Sequence, residues 1–489
     1  MASLDPAASL DPVDWDATRA DGHHMLDELF DHLQGLRDQA AWRPVPDEVR
    51  RRHRSDLPIA PGSLTEAHDT FKTDMLAYAG GNLHPGFMGW VQGAGTPVGV
   101  LAEMLAAGLN GNLGGRDHMP IAIEQEVVGW MRSLFGFPEG STGLMVTGAS
   151  MANFIGVLVA RRRALGPEGR RSGVAGPRLT AYASTATHGC VSRGMDMAGL
   201  GSLNLRQVAT DSDHRIDLDA LKAVIAADRA AGLLPFLLVA NAGTVDAGAI
   251  DDIDALADLA ETEGLHLHVD GAYGALGMLT PEIAPRLAGI ERADSLAFDF
   301  HKWAHVPYDA GFVLVRDGDL HRETFATSAA YLSRETRGLA GGDFWPCDYG
   351  PDLSRGFKAL KVWFTFKVLG ADAIARAIEY SCALARELQA RIEAEPELEL
   401  LAPAQLSIVC FRYRALAADA DAVNRAIVAD LHEAGAAAPS LTAIDGKAAI
   451  RAALFNHRTE HRDLDALIKG VLAAGRVRTA PDTTQEAAA

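Results

Sequence analysis

The sequence predicts an α/β fold with a mostly parallel sheet. Between about residues 96 and 320, short apolar runs alternate with segments of helical periodicity, which is the pattern of βαβ units. Several apolar runs end in polar motifs, as strands do where an open α/β sheet forms its ligand crevice. Hydrophobic residues make up 48% and charged residues 22% of the 489 residues, so the chain can form a large core.

The composition argues against several classes of function. Acidic residues outnumber basic residues by 64 to 45, giving a net charge of -19, which disfavours a nucleic-acid partner. The four cysteines lack the spacing of a metal site or a disulfide framework, so we expect no metal and a reducing, cytoplasmic location. No apolar stretch approaches the ~20 residues that a membrane helix needs, and no signal peptide is recognised.

The amino-terminal part, residues 1–95, is predicted to be a helical segment. Apolar residues recur at three- and four-residue spacing within 16–39, which predicts an amphipathic helix: Met25, Leu26, Leu29, Phe30, Leu33 and Leu36. Such an apolar face must be covered, either by its own domain or by a partner subunit.

Residues 96–370 are predicted to form the large domain, with seven strands. These strands are expected at 143–147, 179–184, 203–209, 236–241, 265–270, 295–299 and 311–315. Helices begin near Ser150, His188, Asp217 and Asp251, and each starts with a polar residue suited to capping or to meeting an anion.

Residues 371–489 are predicted to form a small α+β domain. A helical pattern runs from Gly356 to Leu369, is interrupted at Gly370 and resumes to about Glu393, which indicates a boundary. An apolar strand at 406–413 and helices near 420–435 and 464–474 follow, and the last dozen residues are expected to fray.

Two motifs carry reactive groups at strand ends. FDFHKW places Lys302, flanked by His301, after a strand, and a desolvated lysine amine can form an imine with an aldehyde cofactor. HLHVDGAYG places Asp270 where a carboxylate can pair with a protonated pyridine nitrogen and keep the ring cationic. A surface lysine and a helix-capping aspartate are the alternative interpretations.

Three further motifs are suited to binding the rest of such a cofactor. TGASMAN, residues 147–153, offers the backbone of Gly148, Ala149 and Ser150 as a phosphate cradle, and it lacks the nucleotide P-loop ending. His188, in STATHGCVSRG, could lie on the cofactor ring. Thr244, in NAGTVDAGAID, could hydrogen-bond near the ring substituents, although purely structural roles are the alternative.

Together and in this order, these motifs resemble the group II PLP-dependent amino-acid decarboxylases, the family of aromatic-L-amino-acid and glutamate decarboxylases. The likeness covers about residues 70 to 460, and HVDGAYG followed by HKW is its most specific part. It implies the PLP-dependent transferase fold type I and pyridoxal 5'-phosphate (PLP) as cofactor. It also implies a homodimer with shared active sites, in which the amino-terminal segment wraps the partner subunit.

The resemblance implies a role for each matching residue. The cofactor-binding residues would be Gly148, Ala149, Ser150, His188, Thr244, Asp270, Ala272, His301 and Lys302. Lys302 would hold the cofactor as an aldimine, and Asp270 would pair with the pyridine nitrogen. His188 and Ala272 would pack on opposite faces of the ring. Thr244 and Asp251 would support these contacts.

The predicted reaction and substrate depend on segments outside these motifs. ATSAAYLSRE resembles the family's mobile catalytic loop, whose Tyr331 would protonate the quinonoid carbon after carbon dioxide leaves; a phenylalanine there would favour oxidative deamination. Trp90, Gln92 and Arg355 are the candidate substrate contacts, although Arg355 could instead buttress the loop. Asp299 stands where aromatic decarboxylases usually have asparagine.

We therefore expect decarboxylation of a small-molecule L-amino acid, with an aromatic substrate favoured over an acidic or polar one. Arg116 and His118 could meet an acidic side chain or could face solvent. An aldehyde synthase, an aminotransferase and a non-catalytic PLP-binding scaffold are the alternatives.

Overall fold

The computed structural model describes residues 9–174, 176, 178–327, 334–416 and 419–480. Its amino-terminal part consists of three helices and a short strand: α1 (Trp15–Gln34), α2 (Asp47–Arg52), α3 (Leu64–Thr70) and β1 (Phe87–Met88). The Asp14 side chain caps α1 by accepting a hydrogen bond from Ala17 N–H, and Gly35 ends the helix. The predicted helix over 16–39 is thus shorter, and a 3₁₀ turn, Leu36–Asp38, follows it.

The apolar face of α1 is only partly covered within the single chain. No residue of α1 is buried, and its apolar stripe is partly exposed: Met25, Leu26, Leu29, Phe30 and Leu33. Because an apolar helix face is stable in water only when it is packed, this surface is available to another molecule.

The main sheet has seven strands, which are β2 (Thr142–Val146), β3 (Leu179–Ser184), β4 (Leu205–Val208), β5 (Leu234–Asn241), β6 (His266–Asp270), β7 (Ser295–Asp299) and β8 (Gly311–Val315). Their spatial order is β2-β8-β7-β6-β5-β3-β4, and the pairs that include β8 are antiparallel while the others are parallel. The predicted fold class is confirmed, and each predicted strand is present with its ends displaced by at most two residues.

Helices surround this sheet, and they are α4 (Pro97–Leu109), α5 (Met119–Leu134), α6 (Ala149–Leu165), α7 (Glu168–Ser172), α8 (Cys190–Met197), α9 (Leu218–Ala230), α10 (Ile253–Glu263) and α11 (Gly318–Phe325). Strands β3, β6, β7 and β8 are buried along their whole length. Apolar runs are typical of strands that are covered on both faces, and β8 is such a run, whereas β6 alternates buried polar and apolar residues.

The carboxyl-terminal part contains α12 (Lys358–Leu369), α13 (Ala371–Ala394), β9 (Leu398–Ala402), β10 (Ile408–Tyr413), α14 (Ala420–Ala434), β11 (Ala438–Ile444), β12 (Lys447–Ala453) and α15 (His461–Thr479). The five strands of its sheet are ordered β1-β11-β12-β10-β9, so the amino-terminal segment supplies one edge. Sequence analysis identified only β10. The alanine-rich β11 and β12 were missed because alanine has little preference for strands.

A separate apolar core lies between this second sheet and helices α13, α14 and α15, and it includes Leu388, Phe411, Ile427 and Leu467. The boundaries proposed at residues 95 and 370 remain predictions. Most of the last dozen residues, which were predicted to fray, lie outside the described residues. In the described ranges, no helix is both long enough and apolar enough to cross a membrane.

Candidate active site

The carboxyl ends of β2, β3, β5, β6 and β7 meet at one edge of the main sheet, around a cavity of about 390 Å³. Eight of the nine predicted cofactor-binding residues line this cavity: Gly148, Ala149, Ser150, His188, Asp270, Ala272, His301 and Lys302. Thr244 does not line it, because its hydroxyl accepts a hydrogen bond from Ala249 N–H at 3.0 Å and closes a turn. Its neighbours Gly243 and Val245 line the cavity instead.

The Lys302 amine lies at the end of β7 and is held by Asp299. The distance from Lys302 Nζ to Asp299 Oδ2 is 2.9 Å, and the Lys302 side chain is 19% exposed. Asp299 is buried, and its Oδ1 accepts a hydrogen bond from Ala149 N–H at 2.7 Å. One carboxylate therefore joins the reactive amine to the first residue of α6. Sequence analysis noted Asp299 only as an unusual residue and did not predict this contact.

A glycine fixes the backbone on the other side of Lys302. A Cβ on Gly93 would lie 2.2 Å from the His301 carbonyl oxygen and 2.7 Å from the Lys302 carbonyl oxygen. Only glycine allows this approach, so the segment before α4 packs directly on the loop that carries the lysine.

Asp270 ends β6 with its carboxylate at the cavity. Oδ1 accepts a hydrogen bond from Ala272 N–H at 3.1 Å, and Oδ2 accepts one from Asn153 Nδ2 at 2.9 Å. Burial raises the pKa of Asp270, and the Ala272 N–H and the Lys302 charge oppose this rise. A cationic partner in the cavity would stabilise the charged carboxylate further.

Asn153 was missed in the sequence, although it belongs to the recognised TGASMAN motif. It lies four residues after Ala149 in α6 and is fully buried. Residues four apart share a helix face, so this spacing is the signal that could have placed Asn153 beside the site.

His188 lies at the mouth of the cavity and is exposed in the single chain. Its Nδ1 accepts a hydrogen bond from Cys190 N–H at 3.2 Å, which orients the ring. Burial raises the pKa of the Cys190 thiol to about 12, so this neighbour remains protonated.

The predicted support role of Asp251 agrees with its surroundings. The buried Asp251 carboxylate accepts hydrogen bonds from Ile216 N–H at 2.8 Å and from the Asn241 backbone and side chain at 2.7 and 3.0 Å. Asn241 in turn lines the cavity.

The amino terminus of α6 faces the cavity, and its N-cap residue, Gly148, has no side chain to cap it. Gly148 precedes it, and a Cβ on Gly311 would lie 2.3 Å from Gly148 Cα, so two glycines permit this close turn. An amine, a carboxylate and a helix amino terminus therefore line a cavity of the size that small ligands occupy. This set of groups fits PLP, with Ser150 near the phosphate, Asp270 near the ring nitrogen and Lys302 near the aldehyde.

Two of the predicted substrate contacts, Trp90 and Gln92, do not line the cavity that holds these groups. Trp90 has a positive φ of 50° and is 58% exposed, and neither it nor Gln92 lines the cavity; Val91 and Tyr308 do. The Tyr308 ring lies 4.3 Å from the His301 ring, between centroids. Sequence analysis did not identify Tyr308.

Arg355 lies in the core and not at the cavity. Its guanidinium donates to both Glu124 carboxylate oxygens, at 2.6 and 3.1 Å, and to the carbonyl oxygens of Leu113 and Met145. These bonds tie α5 and β2 to the segment before α12, a contact in the core that neither of the two alternatives for Arg355 predicted. The Arg116 guanidinium stacks on the Trp345 ring at 4.9 Å.

Tyr331, the predicted proton donor, lies outside the described residues.

Comparisons with known proteins agree with this geometry. The family model of the pyridoxal-dependent decarboxylase conserved domain matches residues 46–414. The chain is 34% identical to aromatic-L-amino-acid decarboxylase of Bacillus atrophaeus, covering 91% of this chain and 92% of the relative. It is 28% identical to phenylacetaldehyde synthase of Arabidopsis thaliana, covering 93% and 94%.

Solved structures show the same fold. The glutamate decarboxylase domain of a Vibrio parahaemolyticus protein superposes with a TM-score of 0.84 and 26% identity, covering 95% of this chain and 97% of that chain. Oryza sativa TDC, crystallised with PLP and tryptamine, superposes with a TM-score of 0.89 and 24% identity, covering 96% and 100%.

Proposed function

The chain belongs to the pyridoxal-dependent decarboxylase family, and from this premise we propose that it converts an aromatic L-amino acid to the primary amine and carbon dioxide. The observation that carries the proposal is that the Lys302 amine and the Asp270 carboxylate line the same cavity at the edge of the main sheet. The cofactor is PLP, and the enzyme is an amino-acid decarboxylase.

Each polar group has a place in this reaction. PLP, when bound, supplies the electron sink for the pair released as the bond to the carboxylate breaks. Lys302 would hold the cofactor through its side-chain amine. Asp270 keeps a positive charge at the ring nitrogen, and His188 packs on the ring and orients the substrate. Tyr331 returns a proton to the substrate carbon, a role that rests on the sequence resemblance.

The charges around the cavity support an aromatic substrate over an acidic one. Among the described residues that line it, Lys302 is the only lysine or arginine, and it is committed to the cofactor. Arg116 stacks on Trp345 and Arg355 is bonded in the core. An acidic substrate side chain would therefore find no guanidinium partner there, whereas Val91 and Tyr308 offer apolar contact.

We further propose a homodimer in which the partner subunit covers α1 and completes the active site. The partly exposed apolar stripe of α1 and the exposed position of His188 at the cavity mouth both support this assembly.

The test is to offer the PLP-loaded enzyme a panel of L-amino acids and to identify the products by mass spectrometry. We expect tyrosine, tryptophan, phenylalanine or dihydroxyphenylalanine to give the amine and one equivalent of carbon dioxide. Turnover of glutamate or aspartate alone would contradict the aromatic assignment, and no turnover of any amino acid would favour a non-catalytic scaffold.

An aldehyde synthase is the second candidate, because phenylacetaldehyde synthase and 3,4-dihydroxyphenylacetaldehyde synthase are also relatives. With dioxygen as the oxidant and with water, it would convert the same substrates to the aldehyde, carbon dioxide, ammonia and hydrogen peroxide. A keto acid would indicate an aminotransferase.

A further inference from the structure

A row of buried side chains lies behind Asp270, on the side away from the cavity. The Asn153 amide bonds Asp270, His268 Nε2 lies 2.7 Å from Asn153 Oδ1, and Ser295 Oγ lies 2.8 Å from both His268 Nδ1 and His266 Nε2. Each of these side chains is at most 1% exposed, apart from Asp270 at 5%. We call Asn153, His268, Ser295 and His266 the β6 relay.

Strand geometry places the β6 relay. His266, His268 and Asp270 alternate along β6, so their side chains leave the same face of the strand. Ser295 is the register partner of His268 on the neighbouring β7. A Cβ on Gly156 of α6 would lie 2.5 Å from His268 Nδ1, so a glycine makes room for that ring.

The hydrogen bonds of the β6 relay run in one direction when Asp270 is ionised. A carboxylate only accepts, so Asn153 presents its NH₂ group to Asp270 and its oxygen to His268. His268 Nε2 must therefore carry a proton and donate it. Burial lowers the pKa of His268 to about 3, so the ring is neutral and its Nδ1 accepts.

The directions of the hydrogen bonds at the His266 end of the β6 relay follow in the same way. The Ser295 hydroxyl donates to His268 Nδ1, and its oxygen accepts from His266 Nε2. Burial lowers the pKa of His266 to about 4, so this ring is also neutral and its Nδ1 carries only a lone pair. That atom has no hydrogen-bond partner among the described residues, and Asp294 Oδ2 lies 3.9 Å away. Every proton in the row thus points toward Asp270.

We propose that the β6 relay holds Asp270 ionised and aimed at the ring nitrogen of the cofactor, so that its members are positioning residues for the reaction. This inference rests on the role proposed for Asp270. The relay fixes which end of the Asn153 amide faces the carboxylate, because the proton on His268 Nε2 needs the Asn153 oxygen as its acceptor, which turns the Asn153 NH₂ group toward Asp270. Together with Ala272 N–H, it occupies one lone pair on each carboxylate oxygen and leaves others for the cofactor.

The test is ¹⁵N NMR of the holoenzyme loaded with PLP labelled at the pyridine nitrogen, which reports the protonation of that nitrogen directly. His268→Leu should move the resonance toward that of the unprotonated ring, weaken PLP binding and lower kcat at least tenfold. His268→Gln, whose amide can still donate to Asn153, should restore most of the wild-type resonance. A resonance in His268→Leu identical to that of the wild type would overturn the proposal.

The matched control is His321→Leu. His321 is as buried as His268 and bonds one hydroxyl, that of Thr142 at 2.8 Å, but it has no contact with Asp270. Its variant should leave the ¹⁵N resonance unchanged. An equal shift in both variants would mean that the effect is general loosening of the core, which would also overturn the proposal.

Two further variants separate the possible failures. Asp270→Asn should move the resonance the furthest; if it does not move it at all, the proposed role of Asp270 fails. If Asp270→Asn moves it but His268→Leu does not, only the relay fails. Ser295→Ala removes one hydroxyl and little volume, so it covers the case in which His268→Leu does not fold. It should shift the resonance in the same direction by less, and no shift would count against the relay.

Discussion

At the scale of single residues, the contact between Asp299 and α6 places a negative charge at the predicted phosphate site. Sequence analysis assigned the backbone of Ala149 to the phosphate, yet the Ala149 N–H donates to the Asp299 carboxylate. The second Asp299 oxygen pairs with Lys302. A phosphate at the amino terminus of α6 would therefore lie near the negative Asp299 carboxylate, which repels it, and near the helix dipole, which attracts it.

Asp299→Asn is predicted to tighten PLP binding, because it removes this like charge and keeps a hydrogen-bonding side chain. Two unit charges about 4 Å apart repel by about 1 kcal/mol in a watery environment, so Kd should fall about fivefold. Fluorescence titration of the apoenzyme with PLP measures this. Asp309→Asn is the control, since Asp309 pairs with Lys358 and does not line the cavity. A weaker PLP affinity in Asp299→Asn would show that the carboxylate assists binding.

Lys302→Ala is predicted to abolish covalent attachment of PLP and turnover while the protein stays folded. Borohydride reduction of the wild-type holoenzyme should leave the cofactor on the peptide that contains Lys302, and mass spectrometry of the digest detects it. The variant should show no modified lysine. Modification of another lysine, such as Lys358, in the wild-type enzyme would refute the assignment.

At the scale of secondary-structure elements, the Arg355–Glu124 pair joins α5, β2 and the start of α12. Both side chains are buried, with 5% and 0% exposed. Removal of one partner of a buried ion pair leaves an uncompensated charge, which costs about 3–5 kcal/mol.

Glu124→Ala and Arg355→Ala are therefore predicted to lower the free energy of unfolding by similar amounts, about 3–5 kcal/mol, as measured by urea unfolding. Glu124 does not line the cavity, so matching losses would identify a structural pair. If Arg355→Ala instead raised KM and left stability unchanged, Arg355 would be a substrate contact after all.

Helix α1 provides the prediction on assembly. Its apolar stripe is partly exposed in the single chain, and a partner subunit that covers it would explain the pattern. The double variant Leu29→Glu with Leu33→Glu should shift the protein from dimer to monomer and lower activity, which sedimentation and product assays measure. Val477→Glu, at a residue that is 78% exposed on α15, is the control and should leave the dimer intact. A wild-type monomer with full activity would contradict the assembly.

At the scale of the whole molecule, buried neutral histidines make stability depend on pH. Burial lowers the pKa of His266 and His457 to about 4, and of His268 and His321 to about 3. Between these values and the ordinary 6.5, the unfolded chain binds more protons than the folded chain, so stability falls as pH falls through this window. The raised pKa values of Asp251 and Asp270 have the opposite effect, because they favour the folded chain as pH falls through part of this window.

Urea unfolding between pH 7 and pH 5 is thus predicted to show a loss of stability, with a slope of up to about 1.4 kcal/mol per pH unit for each buried histidine. His321→Phe should reduce this slope by the contribution of one histidine, up to about 1.4 kcal/mol per pH unit. An unchanged slope in that variant would mean that His321 is already protonated in the folded protein.

The sequence by itself determined the main sheet, the reactive pair and the family. Most strands of the main sheet are rich in apolar residues, Asp270 is the last residue of β6 and Lys302 lies three residues after β7, so a local pattern was enough to find them. The sheet of the carboxyl-terminal part was largely missed, because its alanine-rich strands carry little local signal and β1 joins it from far along the chain.

Only the tertiary structure decided what surrounds the reactive pair. Arg355 reaches Glu124 across 231 positions of sequence, so no local spacing could have joined them. Asn153 reaches Asp270 across 117 positions, and its spacing from Ala149 on α6 indicates only that it lies beside the site. Whether a polar side chain faces the cavity or the core depends on which elements pack against it. Packing therefore placed Arg355 in the core and Asn153 beside Asp270.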